Sequence, residues 1–98
     1  MDIQQLVADD FESLPDRRLA LLHGDATISL EIKSVQAAES HAERTVRPFS
    51  VILRDRGAQD WFAQGIFRYA HPRHGLIELF TVPIGPDESG MCYQIIFN

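Results

Sequence analysis

The chain has 98 residues, a single cysteine and a net charge of −5, with 45% hydrophobic and 23% charged residues. This length allows one domain with one core, residues 1–98, and the composition sits outside the disordered, collagen-like and membrane-spanning classes. Cys92 has no second cysteine to pair with, and the polar start Asp2-Ile3-Gln4-Gln5 lacks the basic and apolar run of a signal peptide, so a disulfide-free, cytoplasmic protein with no membrane partner is expected.

Charge is unevenly spread. Residues 1–16 carry five acids and no base, whereas residues 44–73 carry six arginines against Asp55 and Asp60. The acidic opening could lie against that basic middle, but both stretches read better as solvated faces, because exposed charges contribute little and require no partner.

In the first segment Ile3, Leu6, Val7, Phe11 and Leu14 recur at helical spacing, with Gln4, Gln5, Asp9, Asp10 and Glu12 on the other face. This predicts an amphipathic N-terminal helix within residues 1–15, ended near Ser13 or Leu14 by the restriction that Pro15 places on the residue before it. Its apolar face should cover an open barrel end or a sheet edge.

Six strand signals follow within residues 17–98. Residues 18–22 are short and apolar, and His23-Gly24-Asp25 supplies turn chemistry. Residues 27–35 alternate, with Ile28, Leu30 and Ile32 against Thr27, Ser29, Glu31 and Lys33, which gives a strand with one dry face. Residues 36–47 lack an apolar stripe and read as a long exposed loop. Residues 48–53 are β-branched and aromatic, closed by a turn at Arg54-Asp55-Arg56-Gly57, and another strand spans 65–70. His71 to Gly75 reverses the chain into residues 76–84, and Gly85-Pro86-Asp87-Glu88-Ser89-Gly90 turns it into the last strand, 91–97.

One helix followed by short strands with regular turns predicts a mainly β fold: a small antiparallel β-barrel, or strongly bent sheet, of five to six strands. No helices alternate with the strands, which excludes a doubly wound α/β fold. A barrel of this size fills its interior with side chains, so function is expected on loops, edges or an outer face.

The residues that could carry chemistry are better explained structurally. His71 and His74 lie in a turn beside Arg73, without the further ligands of a zinc site, and read as exposed turn histidines. Cys92 has no local base and reads as a buried, inert thiol. Asp9, Asp10, Glu12 and Asp16 are sent around a solvent face by helical spacing. Ser34, Ser50 and Ser89 lack a nucleophile elbow, and neither phosphate-binding glycine motif is present. No catalytic residue, cofactor or metal ligand is assigned.

Two surfaces remain. Arg54, Arg56, Trp61, Phe62, Arg68 and Tyr69 could form an arginine and aromatic face for single-stranded nucleic acid. The negative net charge and the single lysine count against this, and Phe62, Phe67 and Phe80 read equally as core. Trp61 and Phe62 also qualify as loop-borne interface anchors, and strand 91–97, if it lies at a sheet edge, could add a strand from another chain.

Arg47-Pro48-Phe49-Ser50-Val51, Gln64-Gly65-Ile66-Phe67-Arg68, His71-Pro72, Gly75, the run from Glu78 through Leu79-Phe80-Thr81-Val82-Pro83-Ile84-Gly85-Pro86 to Asp87, Gly90, Tyr93 and Phe97-Asn98 together resemble a family of small bacterial proteins that share a domain of unknown function. The resemblance is strongest over residues 47–98; toward the N-terminus it runs through Asp10-Phe11 and the strand at 30–35. It carries over no catalytic residues, and it implies an accessory or assembly role beside phage-tail-like collar proteins. The strand order is also similar to the SH3/Sm-like small barrel, which commonly assembles through edge strands. The Sm family's RNA-contacting loop motifs are missing here, so RNA binding does not transfer with the shape.

The sequence therefore predicts a non-enzymatic protein-interaction or assembly module, its partner either another protein or a second copy met through an edge strand. The alternative is an Sm-like or OB-like nucleic-acid binder using the six residues named above.

Overall fold

A computed structural model describes residues 5–37 and 48–97. A short helix α1 (Asp9–Glu12) and a 3-10 turn (Pro15–Arg17) precede six strands: β1 (Arg18–His23), β2 (Ala26–Ala37), β3 (Phe49–Arg56), β4 (Gly65–His71), β5 (Gly75–Pro86) and β6 (Gly90–Phe97). All neighbours are antiparallel, in the closed order β1-β2-β3-β6-β5-β4.

Two twelve-residue strands make closure possible, because each serves two partners in succession. The first half of β2 pairs with β1 and its second half, from Glu31 on, pairs with β3. Likewise β5 pairs with β4 up to Thr81 and with β6 from Val82. Register shifts at Ile32/Ser34 and Pro83/Gly85 mark where the two long strands change course, as bulges do in barrels. At the second, Gly85 has φ 107°, a left-handed value that favours glycine, and Pro83 is tolerated because a bulge does not need its missing N–H. The seam closes through three pairs, Ala20↔Ala70, Leu21↔Tyr69 and Leu22↔Arg68.

Alternate residues fill the interior. Phe49, Val51 and Leu53 of β3, Ile77 and Leu79 of β5, and Tyr93, Ile95 and Phe97 of β6 are buried, with Leu19, Leu21, Leu30 and Ile32 completing the core. One polar pair lies among them. Thr81 donates its only hydroxyl proton to the Leu79 carbonyl at 3.2 Å, so Tyr69 must donate to Thr81 Oγ1 at 2.7 Å, and both hydroxyls are satisfied.

The N-terminal segment caps one barrel end, as its apolar spacing predicts. Phe11 lies 5.9 Å from Phe49 and 5.3 Å from Phe97, two cross-strand partners whose rings stack at 4.4 Å, and Leu6 and Leu14 are buried beside it. The helix is shorter than the predicted one. The helix starts only at Asp9, just after the Val7 N–H that donates to the Asp10 carboxylate at 2.9 Å, and Leu14 is already extended ahead of Pro15. Ile3 lies outside the described residues.

Three further expectations change. Residues 36 and 37, expected in an exposed loop, belong to β2, which runs through Ala37; the rest of that expected loop, 38–47, lies outside the described residues. The turn expected at 54–57 is strand as far as Arg56. The last strand is not an edge: β6 pairs with β3 along its whole length and with β5 through residues 91–94, and beyond that Phe97 meets Phe11. Strand addition onto β6 therefore has no free backbone row on the β3 side and none at residues 91–94 on the β5 side.

Candidate interaction surface

The six residues proposed for a nucleic-acid face do not share one. Tyr69 is fully buried on the inward side of β4, and burial pushes its phenol up to about 12. Phe62 turns into the barrel mouth: its ring lies 4.8 Å from His23, 5.5 Å from Phe67 and 5.8 Å from Tyr93, and its N–H donates to Tyr93 Oη at 3.0 Å. Arg68 stands on the outer face of β4, opposite Glu78 and Leu22. Trp61 is 65% exposed in the β3–β4 loop.

Arg54 and Arg56 are engaged in an ionic strip across the outer faces of β2 and β3 and the β5–β6 turn. Arg54 bridges Glu31 and Asp87, the latter at 2.6 Å; Arg56 reaches Glu31 at 3.0 Å and Lys33 reaches Asp87 at 2.8 Å. The Lys33 ammonium, the Ser89 N–H and the Arg54 guanidinium hold the Asp87 carboxyl far below the usual carboxylate range. Arg54 in turn holds Glu31 down against the opposing effect of its desolvation. The guanidinium of Arg54 is thus committed to acids of its own chain. Cys92 lies buried next to this strip, and desolvation raises its thiol above the usual value, consistent with an inert thiol.

A second polar cluster fastens the N-terminal cap, and here two sequence expectations are corrected. Asp10 does not face solvent: its carboxylate is buried and accepts from Val7 N–H, from Arg73 at 2.9 Å and from His74 Nε2 at 3.0 Å. His71 is not an exposed turn residue but is buried against Phe11. Its Nδ1 accepts the Arg73 N–H at 3.1 Å, so Nε2 carries the proton and donates to the Asp10 carbonyl at 2.7 Å, which defines a neutral tautomer. Burial lowers the His71 pKa, against the raising effect of the Asp10 carbonyl. For Asp10, burial alone would raise the carboxyl, but Val7, His74 and Arg73 together bring it below its ordinary value. Among the described residues no three His, Cys, Asp or Glu side chains converge as a metal site.

The surface that sequence reasoning missed is the outer face of β4 and β5. Inward residues Ile77, Leu79 and Thr81 leave Leu76, Glu78, Phe80, Val82 and Ile84 pointing outward, four of them apolar. Phe80, expected in the core, is 52% exposed and lies directly opposite Ile66, which is 68% exposed. One step along the strands Glu78 faces Arg68, and one step further Leu76 faces Ala70. Neither Arg68 nor Glu78 makes an ion pair among the described residues. The signal was present in the alternation: Ile77, Leu79 and Thr81 already make a complete inward row, so Phe80 had to point the other way.

The chain belongs to the family of the domain of unknown function DUF6916, whose family model matches residues 6–97. No curated protein and no solved structure matches it. Among the described residues no helix is long and apolar enough to cross a membrane.

Proposed function

We propose that this domain is a non-enzymatic assembly module that pairs with a second copy of itself through the outer face of β4 and β5. The observation that carries this reading is the apolar pair Ile66 and Phe80, side by side and more than half exposed, continued by Leu76 and Ile84. Contiguous exposed apolar surface on a small soluble domain marks an interaction site. With β6 an internal strand of a closed barrel, an outer face takes over the role first assigned to a strand edge.

The face is also complementary to itself. A two-fold axis running parallel to β4 and β5, between them and in the plane of contact, lays each β4 over the partner's β5. Ile66 then meets a second Phe80, Ala70 meets a second Leu76, and Arg68 meets a second Glu78. Isologous contacts of this kind are the commonest route to homodimers.

Sedimentation velocity over a range of concentrations tests the reading. The wild-type chain should show a concentration-dependent dimer, and Phe80→Glu should sediment as a monomer throughout while its thermal stability stays within about 0.5 kcal/mol, as expected of a surface change. A wild-type chain that remains monomeric at the highest concentration contradicts the proposal.

A further inference from the structure

The β3–β4 loop leaves its indole outside the barrel, and Trp61 stands between two hollows. On one side is a groove of about 490 Å³ lined by Ala58, Gly85, Pro86 and Met91. On the other is a hollow of about 240 Å³ bounded by Asp55, Asp60 and Phe62. The walls are tied together: Gly57 N–H donates to the Ser89 carbonyl at 2.8 Å, Ala58 N–H donates to the Asp55 carbonyl at 3.2 Å, and Asp87 Oδ1 accepts the N–H groups of Ser89 and Gly90. A site built on such fixed loops loses little entropy when it is occupied.

The uncompensated charges at this end of the barrel have one sign. Asp55 continues the inward row of β3 after Leu53, opposite Met91, which places a half-buried carboxylate at the barrel mouth. Asp60 and Glu88 are exposed, and none of the three makes an ion pair among the described residues. Arg56, one residue beyond Asp55, is drawn to Glu31 at 3.0 Å. Desolvation raises the Asp55 carboxyl, with no opposing contribution from a neighbouring cation. A half-desolvated carboxylate beside an exposed indole is a pair of groups that a single planar cation satisfies together.

We infer that the Trp61 hollow receives an arginine side chain from an extended segment of a partner protein, its guanidinium plane stacked on the indole and its N–H fork directed at Asp55 and Asp60. Arginine suits the site better than lysine because it is planar, weakly hydrated and able to bind carboxylates through two parallel hydrogen bonds. The groove on the other side of Trp61, with Pro86 and Met91, takes an apolar neighbour of that arginine. The net charge of −5 favours the approach of a cationic segment. This site is separate from the β4–β5 face and does not depend on self-association.

Trp61 is the only tryptophan in the chain, so indole fluorescence, excited at wavelengths that tyrosine does not absorb, reports on this site alone. The probe is a blocked Gly-Arg-Gly-Arg-Gly peptide, titrated at low salt beside versions carrying lysine or citrulline in place of arginine. The arginine peptide should give a saturable change that weakens as salt rises, the lysine peptide should bind more weakly and the citrulline peptide should not bind. Asp55→Asn and Asp60→Asn should each reduce affinity about tenfold, the scale of one lost hydrogen bond to a charged group. Asp60 is exposed, so Asp60→Asn keeps the test available if Asp55→Asn folds poorly. Absence of a saturable change with the arginine peptide, or an equal response to the citrulline or lysine peptide, overturns the inference.

Discussion

Asp10 and His71 join the N-terminal cap to the β4–β5 turn, and they impart a pH dependence whose sign follows from their surroundings. His71 is held neutral, with a lowered pKa, so its contribution to stability is complete above the ordinary histidine value of about 6.5 and is lost as pH falls below it. Asp10 is held ionised, so its contribution is present above about pH 4 and lost as pH falls further through its depressed value. Thermal melts should therefore show Tm falling first between about pH 7 and 5, in the histidine window, and again at lower pH. His71→Gln, whose amide can donate to the Asp10 carbonyl and accept from Arg73, should flatten the first decline, and Asp10→Asn should cost about 1–3 kcal/mol at neutral pH. A His71→Gln melting profile identical to wild type from neutral to mildly acid pH would contradict the assignment. Little of this was legible in the sequence. Helical spacing assigns Asp9, Asp10, Glu12 and Asp16 alike to a solvent face, and only the fold, by bringing residue 10 to residues 71–74, separates Asp10 from the others.

At the scale of elements, the legible parts were those whose signals are local. The alternation in β2, the turn at Asp87 to Gly90 and the apolar spacing of Leu6, Phe11 and Leu14 each lie within a few residues, and each element formed. The barrel was read from the run of short strands and turns, but which strands close it was not legible, because closure rests on three β1–β4 pairs between residues about fifty positions apart and on two bulges with no marker as strong as a turn. The candidate site suffered for the same reason: Arg54, Arg68 and Tyr69 are neighbours in composition, but strand geometry sends them to an ionic strip, an outer face and the core. One element-level feature gives a sharp test. A Cβ added at Gly90 would come within 2.2 Å of the Asp55 carbonyl oxygen, because β6 begins tight against β3 at the register Arg56↔Gly90. Gly90→Ala should cost at least about 1–3 kcal/mol, as overpacking does, read as a lower urea midpoint. An unchanged midpoint would show that the β3–β6 approach is looser than described.

At the scale of the molecule, a barrel with one end capped by Phe11 and the other stopped by Phe62 directs function to its outside. In the ionic strip of Glu31, Asp87, Lys33, Arg54 and Arg56 every charge has a partner within the chain, which leaves the β4–β5 face and the Trp61 hollow as surfaces with unmet chemistry. In the assembly we propose, the first of these surfaces pairs with its own copy about a two-fold axis, and a charge exchange probes that pairing. In that geometry Arg68→Glu sets two glutamates against each other across the contact, and Glu78→Arg sets two arginines together, so each variant alone should be monomeric by light scattering. Mixed in equal amounts, the two variants restore opposite charges at both positions and should form a dimer. Two variants that each keep the wild-type mass, or that remain monomeric when mixed, would contradict the two-fold face and with it the proposed mode of assembly.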